Sequence, residues 1–284
     1  MSSNPTADIP FVKTILHPTD FSPESAAAFA HALAICLFRQ GEITLLHAGD
    51  EYLDGDDWQK FPAVRDTLVR WKLLEPNSPK AAVFRDLGIR VNKVSAIGDP
   101  LEASLDYLVD NPTDLMVMAT EGREGLPRWV QQSTAETLAR QTGINTLFVP
   151  HGAPGFVSPD GDLSLRRILV PVASQPDPRA ALVYAGRATL LSGGDPVEIT
   201  VLHVGNEVPD FELPEAEVAG SSWQVERRDG DPEDEIVRFA EQAGTDLIFM
   251  STAGPSGVFE ALRGSTTERV LRRAPCAVCA VPIG

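Results

Sequence analysis

Cysteine, positive charge and long apolar stretches are all scarce in this chain, and each shortage closes off a class of function. Cys36, Cys276 and Cys279 are the only cysteines in 284 residues, too few for the disulfide framework of a secreted domain. Cys276 and Cys279 have metal-ligand spacing, but no second pair accompanies them and both sit in the apolar run Cys276-Ala277-Val278-Cys279-Ala280-Val281. On a strand, residues three apart face opposite ways, so these thiols cannot close on one ion; core packing is their expected role, and no metal is predicted. Lys and Arg number 24 against 40 Asp and Glu, a formal net charge of −16. Such a surface repels a phosphodiester backbone, and no long basic run offsets it, so no nucleic-acid partner is expected. No apolar run approaches the roughly 20 residues of a membrane span, and polar Met1–Asp8 has neither the basic nor the apolar part of a signal segment. These features lead to the expectation of a soluble, cytoplasmic protein with reduced thiols and no membrane partner.

What the chain has in plenty is repetition. Ile15-Leu16-His17-Pro18 returns 153 residues later as Ile168-Leu169-Val170-Pro171, and Leu45-Leu46-His47 returns 156 later as Val201-Leu202-His203. Four further landmarks share one offset of 132: Gly98-Asp99-Pro100 with Gly230-Asp231-Pro232, Thr113-Asp114-Leu115 with Thr245-Asp246-Leu247, Ser133-Thr134 with Ser265-Thr266, and Val149-Pro150 with Val281-Pro282. A register held this long marks two copies of one unit.

Each copy alternates strand and helix, the pattern of a parallel sheet with helices on both faces. Strands are expected near Val12–His17, Glu42–Ala48, Arg90–Ala96, Leu115–Ala119 and Asn145–Val149, then Arg167–Val172, Val197–Val204, Trp223–Arg228, Leu247–Ser251 and Cys276–Val281. Their continuous Ile, Leu and Val runs suit strands buried on both faces. The fold class is therefore α/β, two tandem doubly wound domains, over 1–151 and 166–284. Gly152–Leu165, rich in Gly, Pro, Ser and Asp, is the linker. Between the second and third strands the first copy carries 24 extra residues, where Phe61, Val64, Leu68 and Trp71 recur at helical spacing. The second copy has Gly205–Gly220 there, broken by Pro209 and Pro214, which predicts an irregular loop and a thinly covered sheet face.

In open α/β sheets ligands bind beyond the carboxyl ends of the strands, where strand order reverses. The end of the first strand, the end of the second, and the loop after the fourth converge there. In the second copy that loop runs Ser251-Thr252-Ala253-Gly254 and leads to Gly264-Ser265-Thr266-Thr267-Glu268 at a helix start. Glycine lets a phosphate approach the backbone, and a helix N-terminus favours an anion. The same residues also serve as an ordinary Ser/Thr cap with a first-turn Glu, and the two readings stand level.

These segments resemble the universal stress protein family, whose ATP-binding members carry an Asp after the first strand and a G-x2-G-x9-G-[ST] loop after the fourth. Ile15-Leu16-His17-Pro18-Thr19-Asp20-Phe21-Ser22 is similar to the family's opening strand, and Arg263-Gly264-Ser265-Thr266-Thr267-Glu268-Arg269-Val270 to its phosphate loop. The resemblance implies five-stranded sheets of order 3-2-1-4-5. It also implies an adenine site with ATP or AMP as weakly held cofactor. In the first copy that site would use Pro18, Thr19, Asp20, Ala48, Met118, Gly122, Ser133 and Thr134, with Asp20 at the adenine-contacting position. In the second it would use Val204, Met250, Gly254, Gly264, Ser265 and Thr266. Both copies depart from the pattern. The first reads Ala119-x2-Gly122-x9-Gln132-Ser133, losing two glycines; the second has Ser251 for the first glycine and Ala173 where Asp20 should stand. Losing the acceptor at Ala173 forfeits a hydrogen bond of about 1 kcal/mol. Single-domain relatives dimerise through the fifth strand, so the two copies are expected to form a dimer within one chain, with Asn145–Val149 antiparallel to Cys276–Val281 and room left for a further homodimer.

No catalytic constellation is evident. No Lys follows Gly264, so this is no Walker A loop; no G-x-S-x-G elbow occurs. Ser192-Gly193-Gly194-Asp195 falls at the wrong end of the sheet for a pyrophosphate-releasing loop. His17, His47 and His203 are expected to be hydrogen-bonded strand residues, and Asp54, Asp56 and Asp57 lack EF-hand spacing. A stress-response binding protein is the favoured reading, with a slow nucleotide hydrolase or a scaffold with vestigial sites as alternatives.

Overall fold

Runs such as Ile43–Leu46 and Leu115–Met118 have apolar side chains on both faces of a strand and need cover from both sides, which a doubly wound sheet provides. The computed structural model describes residues 12–54, 58, 64–120, 134–150, 155–253 and 266–283. In the first half the order is β1 (Thr14–Pro18), α1 (Pro23–Arg39), β2 (Glu42–Gly49), α2 (Val64–Arg70), α3 (Ala82–Leu87), β3 (Arg90–Ile97), α4 (Pro100–Asp110), β4 (Leu115–Thr120), α5 (Thr134–Thr142) and β5 (Asn145–Pro150). The second half has β6 (Arg167–Val172), α6 (Arg179–Ala188), a 3-10 turn at Thr189–Ser192, β7 (Glu198–Val204), β8 (Ser222–Arg228), α7 (Pro232–Ala243), β9 (Leu247–Ala253), α8 (Thr266–Arg273) and β10 (Ala277–Ile283). Each expected strand is present, within two or three residues at its ends.

The strands form one sheet of ten, ordered β3-β2-β1-β4-β5-β10-β9-β6-β7-β8. Each half is parallel with order 3-2-1-4-5, and the halves join where β5 and β10 run antiparallel, pairing Phe148 with Val278 and Leu147 with Cys279. The outer strands β3 and β8 expose Arg90, Lys93, Glu226 and Arg227, charges that discourage edge-to-edge pairing.

Alternation along β10 divides the interior. Ala277, Cys279 and Val281 join a core on one face, beneath α1, α2 and α6, that runs unbroken through both halves. Cys276 and Val278 face the other way into the core under α7 and α8. Ala280 crosses the seam into the first half's core under α4 and α5. Cys276 and Cys279 thus lie on opposite faces, and no metal cluster occurs among the described residues.

The repeated landmarks are folding devices. Asp99 and Asp231 cap α4 and α7, each accepting from two backbone N–H groups, with Pro100 and Pro232 at the first helical position. Asp114 Oδ2 accepts from the amides of Lys13 (2.8 Å) and Thr14 (2.9 Å), and Asp246 Oδ2 from those of Arg166 (2.7 Å) and Arg167 (2.8 Å). Each of these carboxylates therefore fixes the start of its half's first strand to the start of the fourth.

The extra segment of the first half forms α2, burying Val64 and Leu68, with Trp71 following; Phe61 lies outside the described residues. Residues 205–221 of the second half form no helix, but the sheet face beneath is better covered than expected. Phe211 and Ala216 pack on the core, and Glu217 N–H and Val218 N–H bond to Gly186 O and Thr189 Oγ1. The connection between the halves is also ordered. Phe156–Ser164 folds back on itself through Ser164 N–H to Phe156 O (2.9 Å) and Ser158 N–H to Asp162 O (2.9 Å). Phe156 and Leu165 are fully buried. Phe156 stands edge-on to His31 at 4.6 Å, His31 Nε2 accepts from Val157 N–H at 3.3 Å, and Trp71 Nε1–H donates to Pro159 O at 2.9 Å. No helix among the described residues is long and apolar enough to cross a membrane.

Candidate functional site

Parallel pairing brings the carboxyl ends of β1, β2 and β4 to one edge of the first half, with β1 and β4 adjacent where strand order reverses. Thr19 N–H makes the last sheet bond, to Leu46 O (2.8 Å), and Phe21 then turns the chain with a left-handed φ of 63°. Asp20 is exposed at this corner. Its Oδ1 accepts from Ser22 N–H (2.9 Å) and Ser25 Oγ–H (2.5 Å), bonds that tie it to the start of α1. Partial burial raises the Asp20 pKa, but the hydrogen bonds from Ser22 and Ser25 together outweigh it and hold the carboxyl below its ordinary value. Asp20 is thus an oriented, ionised acceptor.

Beside it stands an aromatic group unmarked in the sequence pattern. The Phe21 ring stacks on His47 at 4.2 Å and meets Trp58 edge-on at 5.5 Å. Lys93 Nζ lies 5.3 Å from the Trp58 ring centroid, within cation–π range. The His47 Nδ1–H donates to Thr19 O at 2.8 Å, and His203 makes the equivalent bond to Val172 O at 3.0 Å. His17 bonds Val117 O through Nδ1 at 2.8 Å. All three strand histidines are hydrogen-bonded structural residues. The only signals for the aromatic group are Phe21 directly after Asp20 and the recurring His47; a φ above zero at a bulky residue is not foreseeable from pattern.

In the second half Ala173 takes the corner position and brings no carboxylate. Near the end of β9, Ser251 Oγ is buried with no partner among the described residues, as is Thr120 Oγ1 at the end of β4. Arg269, which would otherwise raise the potential for an anion, is occupied: it pairs with Glu233 at 3.1 Å, while Arg273 pairs with Glu233 (2.8 Å) and Asp234 (2.7 Å). These pairs fasten α8 to α7.

The structure brings Pro18, Thr19 and Asp20 together at the β1 corner, with Thr19 buried and Pro18 half-buried. Ala48 and Met118 sit in the core under α4 and α5, 8% and 5% exposed, and present little surface to a ligand. Met250 is likewise in the core under α7 and α8, with Val204 half-buried against it. Thr134 and Thr266 open α5 and α8. Gly122, Ser133, Gly254, Gly264 and Ser265, with Gln132 and Arg263, lie outside the described residues. A hollow of about 50 Å³ between α5 and α8 touches Thr252, Ala253 and Thr267, well below the few hundred cubic ångströms of a ligand pocket.

A ten-stranded sheet made of two doubly wound halves, each with a helix after its fourth strand, defines a tandem α/β protein. The model of the Universal stress protein family matches residues 12–150 and 210–282, more than half of the chain, and the chain belongs to that family. Curated relatives include universal stress proteins of Methanocaldococcus jannaschii, 44% identical over 66 residues (23% of this chain, 39% of the relative), and Methanothermobacter thermautotrophicus, 43% identical over 77 residues (26% of this chain, 52% of the relative). The chain thus spans about half the length, or less, of the curated relatives it matches. Among solved structures, a universal stress protein from Archaeoglobus fulgidus aligns over 95% of this chain and 98% of its own with a TM-score of 0.63 at 19% identity. A Pseudomonas aeruginosa protein of unknown function aligns over 95% and 92% with a TM-score of 0.63 at 16% identity. At these identities both support the fold alone.

Proposed function

We propose that this is a stress-response binding protein that holds ATP or AMP weakly, the first half favouring the base through Asp20 and the second favouring phosphate at Gly264-Ser265-Thr266. The observation that carries this reading is the pair of buried hydroxyls, Thr120 Oγ1 at the end of β4 and Ser251 Oγ near the end of β9, that have no hydrogen-bond partner among the described residues. Buried polar groups are nearly always hydrogen-bonded, so an orphan at the ligand edge of such a sheet calls for a water or a ligand atom. The low pKa of Asp20 suits an acceptor and makes it a poor general base, which favours binding over hydrolysis. Arg269 and Arg273, held by Glu233, leave the backbone and hydroxyls of the helix start as the main anion donors; this is why affinity is weak.

We read residues 1–151 and 166–284 as two domains that serve each other as the subunits of a dimer, an arrangement the antiparallel β5–β10 pairing supports. A scaffold with vestigial sites is the second reading, favoured by Phe21, His47 and Trp58 filling the strand ends of the first half. Titration calorimetry with ATP and AMP on the intact chain, Asp20→Ala, Gly254→Val and Ser265→Ala separates these. The proposal expects ATP to lose affinity in Gly254→Val and Ser265→Ala. Tight binding abolished by Asp20→Ala and untouched by Gly254→Val would sink the division of roles, and no heat with any nucleotide would leave the scaffold.

A further inference from the structure

The two halves carry opposite charge at equivalent places, the connections from second to third strand. Residues 64–93, which hold α2, α3 and the start of β3, have seven Lys or Arg against three Asp or Glu, a net +4 within a chain of −16. Residues 206–226, the corresponding loop and the start of β8, have six Asp or Glu and neither Lys nor Arg. Every one of these charged residues is exposed. The basic ones form one surface. Arg65 Nη1–H on α2 donates to Ser78 O at 3.4 Å, and Lys80, which follows that turn, is near enough to Lys93 on β3 to add to burial in lowering its pKa. Large apolar side chains are exposed at the same two places, Leu73 and Phe84 in the first and Val208, Leu213 and Val225 in the second. These are five of the nine so exposed among the described residues, and apolar area set among charges marks a contact surface.

Neither surface can reach the other within its own chain. β3 and β8 are the two edges of the ten-stranded sheet, and nine spacings of about 4.8 Å put them roughly 43 Å apart. Both connections lie over the same sheet face, because Leu68 and Trp71 of the first and Phe211 and Ala216 of the second pack on the core beneath α1 and α6. Two copies set face to face and reversed end for end therefore bring each basic connection over the other copy's acidic one, and both contacts close together. A second copy supplies opposite charge and apolar side chains in one surface. A phosphodiester chain at the basic surface would instead meet the net −20 carried outside residues 64–93.

We propose that these two surfaces bind each other between two copies of this chain, the basic connection of each on the acidic connection of the other, to form a closed head-to-tail pair. Analytical ultracentrifugation of the intact chain reads the pair directly. At about 0.2 mM protein and about 50 mM salt the mass is that of two chains; at about 0.5 M salt, where the Debye length falls below about 5 Å, the pair is at least about tenfold weaker. Arg70→Glu/Lys72→Glu/Lys80→Glu leaves the chain single, as does Glu212→Lys/Glu215→Lys/Glu217→Lys, each with the parent's melting temperature. The chain carrying all six substitutions pairs again, within about tenfold of the parent, because unlike charges face each other once more. If a triple variant fails to melt cooperatively, Phe84→Ser and Leu213→Ser test the same surfaces, each weakening the pair about fivefold or more. A parent that stays single at low salt, whether or not its basic surface takes a polyanion such as heparin, would overturn the proposal. So would growth past two chains, pairing unchanged in either triple variant or in both serine variants, or a six-substitution chain that folds and stays single.

Discussion

His31 joins the connecting hairpin to the first half, and acid should release it. The ring is buried, its Nδ1–H donates to Ala27 O at 2.8 Å, and its Nε2 must be unprotonated to accept from Val157 N–H. Burial, only partly offset by the Ala27 bond, pushes its pKa down from 6.5 to about 4. The unfolded chain therefore takes up a proton near pH 6.5 and the folded chain only near pH 4, so stability falls with falling pH throughout that window. At 1.36 kcal/mol per unit, the loss from this ring is about 2.5 kcal/mol by pH 4.5. His31→Gln supplies a neutral acceptor that does not titrate. Urea unfolding of both chains at pH 7, 5.5 and 4.5 isolates the effect, because carboxylates and the similarly depressed His17 titrate in each. The stability of the parent relative to His31→Gln should drop by about 2 to 3 kcal/mol between pH 7 and 4.5. A difference constant with pH would refute the neutral-acceptor role.

Gly161 has φ 87°, and an added Cβ would lie 2.5 Å from the Trp71 ring; Gly161→Ala should destabilise by at least about 1 kcal/mol and speed amide exchange at Val157. Asp246→Ala unpairs two strand-start amides and should lower the melting temperature more than Asp231→Ala, a helix-cap loss of about 1 kcal/mol; equal effects would contradict the β6–β9 tie. Glu233→Ala releases Arg269, whose half-exposed pair with Glu233 contributes up to about 1 kcal/mol, while Arg273 keeps its pair with Asp234. It should tighten binding of ATP relative to AMP in calorimetry.

The architecture was legible because two copies of one pattern sit in a single chain. Each landmark in the first half checked its counterpart, and Asp99-Pro100 and Asp231-Pro232 mark the same helix start by the same chemistry. Cys276 and Cys279 were placed on opposite faces by strand periodicity alone. The docking of the connecting hairpin was not legible, because its Gly, Pro, Ser and Asp residues signal a turn while the partners that anchor it, His31 and Trp71, are distant in sequence. The Phe21–His47–Trp58 group depends on a left-handed backbone at Phe21 that local propensity disfavours. Spacing placed Arg269 beside the helix start of α8, but its pairing with Glu233 arises only when α7 and α8 pack together.

Native mass spectrometry of the intact chain, purified without added nucleotide and then exposed to millimolar ATP, tests weak and unequal nucleotide binding most directly. The protein should be bare after purification and, with ATP, carry one adduct per chain that disappears on dilution and is lost in Gly254→Val. ATP retained at full occupancy through purification, or two adducts of equal strength, would contradict weak and unequal binding.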